Sequence, residues 1–174
     1  LLDSDEEVLG RITSSERLFD ISPYTTFAWK HEISIMKKSL SNLNGFIHFE
    51  FVIPRMGKRV DVLLVVKNVV FILEFKVGSE TYDQGSEVQV LDYALDMKNF
   101  HEGSHRHIVC PVLIATEANT EDLNLQIAKD NIFEVIRTNG TDLNGLIHEV
   151  LDYCNNRSLN VDYDQWIRSL YKPT

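Results

Sequence analysis

The feature that most constrains the fold is a pair of apolar segments, residues 60–66 and 69–75, joined by Lys67-Asn68. Side chains alternate between the two faces of a strand, and a two-residue connection between two apolar runs is typical of a β-hairpin. Val66 then faces Val69, and the same register places Asp61 opposite Glu74. The second strand is apolar on both faces, so we expect it at the centre of the sheet, covered by helices on both sides.

Two carboxylates at facing positions require compensation, because like charges opposed across a ladder are destabilising. At about 4 Å and an effective dielectric constant of about 20, their repulsion is about 4 kcal/mol. Lys76 lies just beyond Glu74 on the same strand. The hairpin therefore predicts a divalent cation between Asp61 and Glu74, with Lys76 beside it.

The composition is that of one ordinary globular domain, with 174 residues, 44% hydrophobic and 25% charged. The net charge of −9 argues against a general nucleic-acid binder, which is usually basic. Carboxylates that bind metal add to that negative count, and a short basic strip at Arg55, Lys58 and Arg59 precedes the hairpin. Two interpretations of this strip stay open: a solvated loop, or a contact surface for phosphates.

The chain has no apolar run of the length that spans a membrane and no secretory signal at its start, so we expect no membrane segment. Cys110 and Cys154 have no metal-ligand spacing, and each lies in an apolar setting. Both are predicted to be reduced core thiols. A cytoplasmic location follows from this cysteine usage.

The first half of the chain predicts two helices and a strand before the hairpin. Residues 1–22 are interpreted as a peripheral arm with a short acidic helix that Gly10 ends. A second helix starts at Ser22-Pro23, carries a buried stripe from Trp29 to Leu43 and stops at Asn44-Gly45, with Glu32 at the edge of the stripe. Residues 46–53 form a strand. The residues expected together on one of its faces are Ile47, Phe49, Phe51 and Ile53.

After the hairpin, residues 78–85 are predicted to be a polar loop and residues 87–100 a well-buried helix. Its main apolar positions are Val88, Leu91, Leu95 and Phe100, with Val90, Ala94 and Met97 beside them. Gln89 and Tyr93 are four residues apart and therefore share one face. The three histidines of residues 101–107 have no standard ligand spacing, so this segment is interpreted as a solvated or phosphate-facing loop.

The last part of the chain predicts two further strands and three helices. Residues 108–115 form a strand whose Pro111 favours an edge or strand-end position. Residues 121–128, 142–153 and 162–170 are expected to be helical, and residues 132–136 to be the last strand. This order of elements predicts an α/β sandwich, with a mixed sheet covered by helices on both faces.

The arrangement of acidic residues resembles that of the PD-(D/E)XK nuclease superfamily. Asp61 is followed on the next strand by Glu74-Phe75-Lys76, and Gln89-x-x-x-Tyr93 is similar to an additional helical motif of several DNA-processing branches. The resemblance covers nearly the whole chain, through residues 28–33, 55–64, 71–78 and 89–101. It extends to the N-terminal domain of prokaryotic proteins in which a nuclease domain is fused to a helicase-like P-loop ATPase.

The resemblance implies a restriction-endonuclease-like three-layer sandwich formed by residues 23–174, followed in the longer protein by the ATPase domain. It implies that Asp61, Glu74 and the Phe75 carbonyl bind Mg²⁺ or Mn²⁺, and that Glu32 contacts the metal through water or completes a second site. Lys76 would orient or help deprotonate the attacking water. The proline that often precedes the aspartate is Val60 here, at a position the superfamily varies.

The remaining site residues follow from the same resemblance. Gln89 and Tyr93 would position the site or contact the nucleic-acid backbone, and Arg55, Lys58 and Arg59 would hold phosphates. The implied function is metal-dependent hydrolysis of phosphodiester bonds in DNA, with RNA not excluded.

Two other hypotheses stay open: a nucleic-acid-binding module that does not cleave but guides an attached ATPase, and an assembly domain that docks a partner through the helix of Trp166. The sequence alone leaves the oligomeric state undetermined.

Overall fold

The computed structural model describes residues 4–15, 23–53, 57–155 and 157–172. The helices are α1 (Asp5–Ser15), α2 (Pro23–Ser39), α3 (Gln84–Phe100), α4 (Leu143–Tyr153) and α5 (Tyr163–Ile167), with a 3₁₀ turn at Glu102–Ser104. The strands are β1 (Phe46–Ile53), β2 (Lys58–Val66), β3 (Val69–Lys76), β4 (Ile108–Ala115) and β5 (Ile136–Thr138). Within these ranges, no helix combines the length and the apolar character needed to cross a lipid bilayer.

The five strands form one open mixed sheet in the order β1-β2-β3-β4-β5. The first three strands are antiparallel, and β3, β4 and β5 run parallel. One face packs against α4 and Met36 of α2, and the other against α3 and Trp166 of α5. The predicted α/β architecture, a mixed sheet with helices on both faces, is confirmed.

The hairpin register is confirmed from Val66–Val69 to Val62–Leu73. Lys67 adopts φ of +51°, the left-handed conformation that two-residue hairpin turns favour at the first central position. β3 is buried over its whole length except at Lys76, as expected for a central strand. The predicted core thiols are likewise confirmed, since Cys110 and Cys154 are both free and buried.

The prediction that Ile47, Phe49, Phe51 and Ile53 share one face of β1 is wrong. Ile47 and Phe49 pack on the α2/α4 side, whereas Phe51 and Ile53 pack on the α3 side. The alternation reverses between them at Glu50, which has φ of +53°.

The side-chain alternation of β2 also reverses, at Asp61, which faces Glu50. Val60 packs on the α3 side and Val62 on the α2/α4 side, so the alternation changes at Asp61. The β1–β2 pairs run through Phe49–Val62 and resume at Phe51–Val60, without a pair between Glu50 and Asp61. Glu50 and Asp61 therefore lie where the side-chain alternation of both strands reverses.

The expectation that Gly10 ends the first helix is also wrong, because α1 continues to Ser15. Ser4 and Glu7 form a reciprocal capping box at its start, with the Glu7 N–H donating to Ser4 Oγ and the Ser4 N–H to Glu7 Oε2. Ile12 then packs with Trp29 of α2, and this burial outweighs the weak helix propensity of one glycine. Residues 1–3 and 16–22 of the predicted arm, including the Ser22 cap, lie outside the described residues.

Helix α3 starts three residues earlier than predicted and buries a different stripe. Asp83 caps it by accepting from the Ser86 N–H at 2.9 Å, so the end of the predicted 78–85 loop is helical. The buried side chains include Val90, Tyr93, Ala94 and Met97. Val88, expected among the main buried positions, is half exposed. The apolar arc of α3 is wide, so the sequence allows several rotations of the helix about its axis. In the rotation observed, Gln89 and Tyr93 face Glu74.

The segment that contains three histidines is not the solvated loop that was predicted, because His101 is only 3% exposed. Its ring packs against Trp166 and Tyr171, and its Nδ1 lies 2.8 Å from Ser104 Oγ. Trp166 Nε1 also donates to that hydroxyl. The histidine therefore joins α3 to the C-terminal segment.

Pro111 does not place β4 at an edge or strand end. β4 lies between β3 and β5, and the β4–β5 ladder starts at Val112–Ile136. Val109 directs its N–H towards Asn131, on the β5 side, so the missing N–H of Pro111 two residues later faces the same side. The proline is tolerated because the ladder is interrupted there.

The predicted helix at residues 121–128 is absent, and that segment is extended. Leu123, Leu125 and Ile127 pack on the core at alternate positions, and Ile127 forms a single bridge with Phe133. This two-residue period is that of a strand.

The other C-terminal boundaries differ from the predictions to a lesser extent. The last strand is Ile136–Thr138 rather than residues 132–136, since Ile132 and Phe133 form only isolated bridges. Helix α4 agrees with its prediction, and Asp142 caps it. The final helix is shorter than predicted and buries Trp166 but leaves Leu170 exposed.

His101 provides a test of this packing. Burial lowers the pKa of His101 to about 4, from an ordinary value of about 6.5. Its contribution to stability is complete above pH 6.5 and is lost as the pH falls towards 4, because only the unfolded chain takes up the proton there. We expect the free energy of unfolding of the wild type to fall by about 2 kcal/mol more between pH 7 and pH 5 than that of His101→Gln.

Urea unfolding at the two pH values measures this difference. His148→Gln changes an exposed histidine on α4 and should keep the wild-type pH dependence. An identical pH dependence in wild type and His101→Gln would show that His101 is not buried as described.

Candidate functional site

Four carboxylates from four consecutive elements meet where the β2–β3 ladder opens, and we call them the carboxylate cluster: Glu32 of α2, Glu50 of β1, Asp61 of β2 and Glu74 of β3. Glu32 and Glu74 are only 5% and 3% exposed. The negative charges of Glu50 and Glu74 raise the pKa of Glu32, and the charges of Glu74, Glu32 and Glu50 raise that of Asp61. The site is therefore one electrostatic unit.

Asp61 ends the ladder between β2 and β3. The last pair is Val62–Leu73, and the Phe75 N–H donates instead to Asp61 Oδ2 at 2.7 Å. The N–H and C=O of one strand residue point to the same side, so the Phe75 carbonyl also faces the β2 side. This orientation agrees with the predicted use of that carbonyl as a ligand.

Glu74 is held by the residues that the sequence predicted around it. Its Oε1 accepts from Lys76 Nζ and from Gln89 Nε2, each at 2.8 Å. Gln89 Nε2 also lies 2.8 Å from the Tyr93 hydroxyl, and Lys76 Nζ lies 3.3 Å from Gln89 Oε1. The strand residues and the helical pair thus form one hydrogen-bonded network.

The pKa values of three acids in the cluster are raised above their ordinary values. Burial, followed by the charges of Glu50 and Glu74, raises the pKa of Glu32 to about 8. Burial, followed by Glu74 and Glu32, raises the pKa of Asp61 well above its usual range, although the Phe75 N–H opposes this. Burial also raises the pKa of Glu74, against the hydrogen bonds from Lys76 and Gln89.

Lys76 keeps its proton in this arrangement. Burial lowers the pKa of its ammonium group, but the hydrogen bond and charge of Glu74 and the charges of Asp61 and Asp83 outweigh it, so the net pKa is raised. Lys76 is therefore a charged hydrogen-bond donor to Glu74 and Gln89.

Two oxygens of the cluster are buried without a hydrogen-bond partner, Glu32 Oε2 and Glu74 Oε2. Buried polar atoms in folded proteins are nearly always satisfied, so each requires an explanation. Carboxylate oxygens together with a backbone carbonyl are the ligands that Mg²⁺ and Mn²⁺ prefer. The chemistry of the donor set therefore fits either ion.

The arrangement described is not that of an assembled metal site. Within the described part of the chain, no three His, Cys, Asp or Glu side chains converge closely enough to hold a metal ion. Asp61 Oδ2 is engaged by Phe75 and Glu74 Oε1 by Lys76. Binding a cation would require side-chain rotations that bring the unpartnered oxygens of Glu32 and Glu74 together.

The predicted basic strip is only partly visible. Arg55 lies outside the described residues. Lys58 is exposed at the start of β2, and its positive charge lowers the pKa of Glu74. The Arg59 guanidinium faces the cluster, with Nη1 3.3 Å from Glu50 Oε2.

Glu50 is the member of the cluster that the sequence did not indicate. The predicted regular strand over residues 46–53 gives Glu50 no special position. Its position opposite Asp61 follows only from the β1–β2 register, and its left-handed backbone follows only from the three-dimensional structure. A lone acid in an otherwise apolar strand was the only available signal.

Comparison with known proteins identifies no relative, since no family model matches the chain and no curated protein is significantly similar to it.

The cluster predicts that Glu32→Gln stabilises the metal-free protein. A raised pKa in the folded state means that stability is complete below about pH 4.5 and is lost as the pH rises through about 8. Removing the ionisable group should raise the free energy of unfolding by about 3 kcal/mol at pH 7.

Urea unfolding of both proteins in chelator at pH 5.5, 7 and 8 measures this gain, which should increase with pH. Glu149→Gln removes an exposed acid from α4 and should give no such trend. A loss of stability in Glu32→Gln at pH 8 would contradict the electrostatic description of the cluster.

Proposed function

We propose that the protein is a metal-dependent nuclease domain of the PD-(D/E)XK type, which hydrolyses phosphodiester bonds in DNA with Mg²⁺ or Mn²⁺ as cofactor. The restriction-endonuclease-like form of the α/β sandwich is part of this proposal. The observation that carries it is the pair of buried, unpartnered oxygens on Glu32 and Glu74, in a cluster that also contains Asp61 and Lys76.

The free-energy cost of burying these carboxylates supports a cation-binding role for the cluster. Burying carboxylates without an opposing charge is unfavourable, and natural proteins retain such arrangements mainly at functional sites. A bound divalent cation would lower the pKa of a coordinated water and polarise the phosphate. Asp61, Glu74 and the Phe75 carbonyl would hold that cation, with Glu32 completing its surroundings.

The neighbouring side chains have separate roles in this proposal. Lys76 donates from its ammonium group to the oxygen that gains negative charge during hydrolysis, and such a preorganised donor is worth more in a buried site than in water. Gln89 fixes the orientation of Glu74 and Lys76 by bonding to both, and Tyr93 supports Gln89. The basic residues Lys58 and Arg59 provide contacts for the phosphates that flank the scissile bond.

The first test is cation binding in the absence of substrate. A ligand present at about 100 times its Kd stabilises the folded state by about 2.7 kcal/mol, which corresponds to a rise in Tm of roughly 5–10 °C for a domain of this size. We expect Mn²⁺ to produce such a rise in the wild type and little or none in Asp61→Asn or Glu74→Gln.

Calorimetric titration with Mn²⁺ measures the same affinity directly. Glu149→Gln should bind Mn²⁺ as the wild type does. If Asp61→Asn and Glu74→Gln bind Mn²⁺ with wild-type affinity, the ion is bound elsewhere and the assignment of the site is wrong.

The second test is cleavage. With Mn²⁺ or Mg²⁺, the wild type should cleave DNA, and Lys76→Met should lose about 10²–10³-fold in rate, the effect of removing one preorganised donor. Lys129→Met removes an exposed lysine and should cleave at the wild-type rate. Linear and circular, single- and double-stranded DNA, together with single-stranded RNA, define the substrate.

Binding of DNA without cleavage of any of these substrates, equally in wild type and Lys76→Met, would replace the enzyme proposal by that of a non-cleaving nucleic-acid-binding module.

A further inference from the structure

Glu50 adopts a backbone conformation that requires an explanation. A residue other than glycine with φ of +53° in the middle of a strand is unfavourable, and such residues persist where the surrounding structure enforces them, frequently at functional sites. Here the conformation reverses the alternation of β1 opposite Asp61. It places a carboxylate in the cluster instead of an apolar side chain.

Both oxygens of Glu50 are already engaged by this chain. Oε1 accepts from Trp29 Nε1 at 2.5 Å, and Oε2 lies 3.3 Å from Arg59 Nη1. The Glu50 side chain is 9% exposed, and Trp29 is almost fully buried. Glu50 is therefore a fixed, largely buried carboxylate, and its contacts distinguish it from Glu32 and Glu74, each of which has an unpartnered oxygen.

Arg59 is held beside Glu50 as an ion pair, with its Nη1 3.3 Å from Glu50 Oε2. The Arg59 side chain is 34% exposed, so it extends from the buried Glu50 to solvent beside the cluster. A planar guanidinium in that position matches the geometry of a phosphate, to which it can donate two parallel hydrogen bonds.

We propose that Glu50 is a positioning residue that holds the Arg59 guanidinium beside the carboxylate cluster, where Arg59 contacts a phosphate of the nucleic-acid substrate. This inference rests on the proposed nuclease function. A site with four carboxylates repels a polyanion, and Lys76 is already bonded to Glu74. Arg59, like Lys76, carries a positive charge beside the cluster, and the Trp29-anchored Glu50 determines its place.

Substitution of Glu50 distinguishes a positioning role from an effect of its negative charge alone. If Glu50 acts only through its negative charge, Glu50→Gln reduces the repulsion of DNA and strengthens binding. If Glu50 positions Arg59, the same substitution weakens binding, because the guanidinium is no longer held beside the cluster. The two explanations predict opposite signs.

The experiment measures the Kd for a fluorescent DNA duplex by anisotropy, with Mn²⁺ present, in the full chain carrying Lys76→Met to prevent cleavage. Into this background we introduce Glu50→Gln, Arg59→Gln and both together. We expect each single substitution to weaken binding about tenfold and the double variant to be no weaker than Arg59→Gln alone. The slope of log Kd against log salt should fall by about one in all three, as for loss of one phosphate contact.

Stronger or unchanged DNA binding by Glu50→Gln would overturn the proposal. Additive effects of the two substitutions in the double variant would also overturn it, as would the absence of DNA binding by the wild type. Glu149→Gln makes the same change of charge at a remote position and should not weaken binding. A merely structural role of Glu50 would lower Tm without changing the salt dependence.

Mn²⁺ calorimetry on the same proteins separates this inference from the proposed function. Loss of Mn²⁺ binding in Glu50→Gln would make Glu50 part of the metal site and overturn its positioning role. If the wild type binds DNA but no Mn²⁺, the nuclease proposal fails while the DNA measurements still decide whether Glu50 positions Arg59.

Discussion

The hydrogen bond from the Phe75 N–H to Asp61 determines the form of the site. Up to Val62–Leu73 the hairpin is an ordinary ladder, and beyond that pair a carboxylate replaces the partner strand. On its other side, β3 stays paired with β4 as far as Lys76–Ala115. One edge of β3 is thus held by the sheet while the other opens towards the acids. This combination places Glu74 and Lys76 on a strand that is paired on one side and meets the carboxylates on the other.

The cluster is tolerated because the fold around it is strongly apolar. β3 and β4 are buried along nearly their whole length, between α4 on one face and α3 on the other. Burial of that surface, at roughly 25 cal/mol per Å², provides the stability against which a few unfavourable carboxylates are balanced. Within the cluster, Asp61 accepts from the Phe75 N–H and Glu74 from Lys76 and Gln89, and these donors offset part of the cost of burying their charge. Glu32 Oε2 and Glu74 Oε2 are buried without a donor, so part of that cost remains.

Local patterns predicted the parts of the molecule that local interactions determine. The hairpin, its register and α4 follow from a two-residue turn and from clear apolar periods. The proximity of Asp61, Glu74 and Lys76 follows from the hairpin, whereas the place of Gln89 and Tyr93 beside them was implied by the resemblance. The hairpin residues could be placed because few alternative registers satisfy the same pattern.

The features that could not be predicted depend on distant contacts. α1 passes through Gly10 because Ile12 reaches Trp29, and β4 accommodates Pro111 because its neighbour is interrupted there. Residues 121–128 are extended because Leu123, Leu125 and Ile127, at alternate positions, pack on the core. The reversal at Glu50 belongs to the same class, since only the pairing of β1 with β2 places that residue opposite Asp61.

The balance of charge at the open end of the sheet limits what can bind there. Within the described residues, the four carboxylates face Lys76 and Arg59, each already paired with one acid, and the exposed Lys58. A phosphate could approach this site only if further positive charge were supplied, since its own charge would otherwise add to the repulsion. The raised pKa values of Glu32, Asp61 and Glu74 reflect the same burial of negative charge. A divalent cation would supply the missing positive charge, satisfy the buried oxygens and make the site attractive to an anionic substrate.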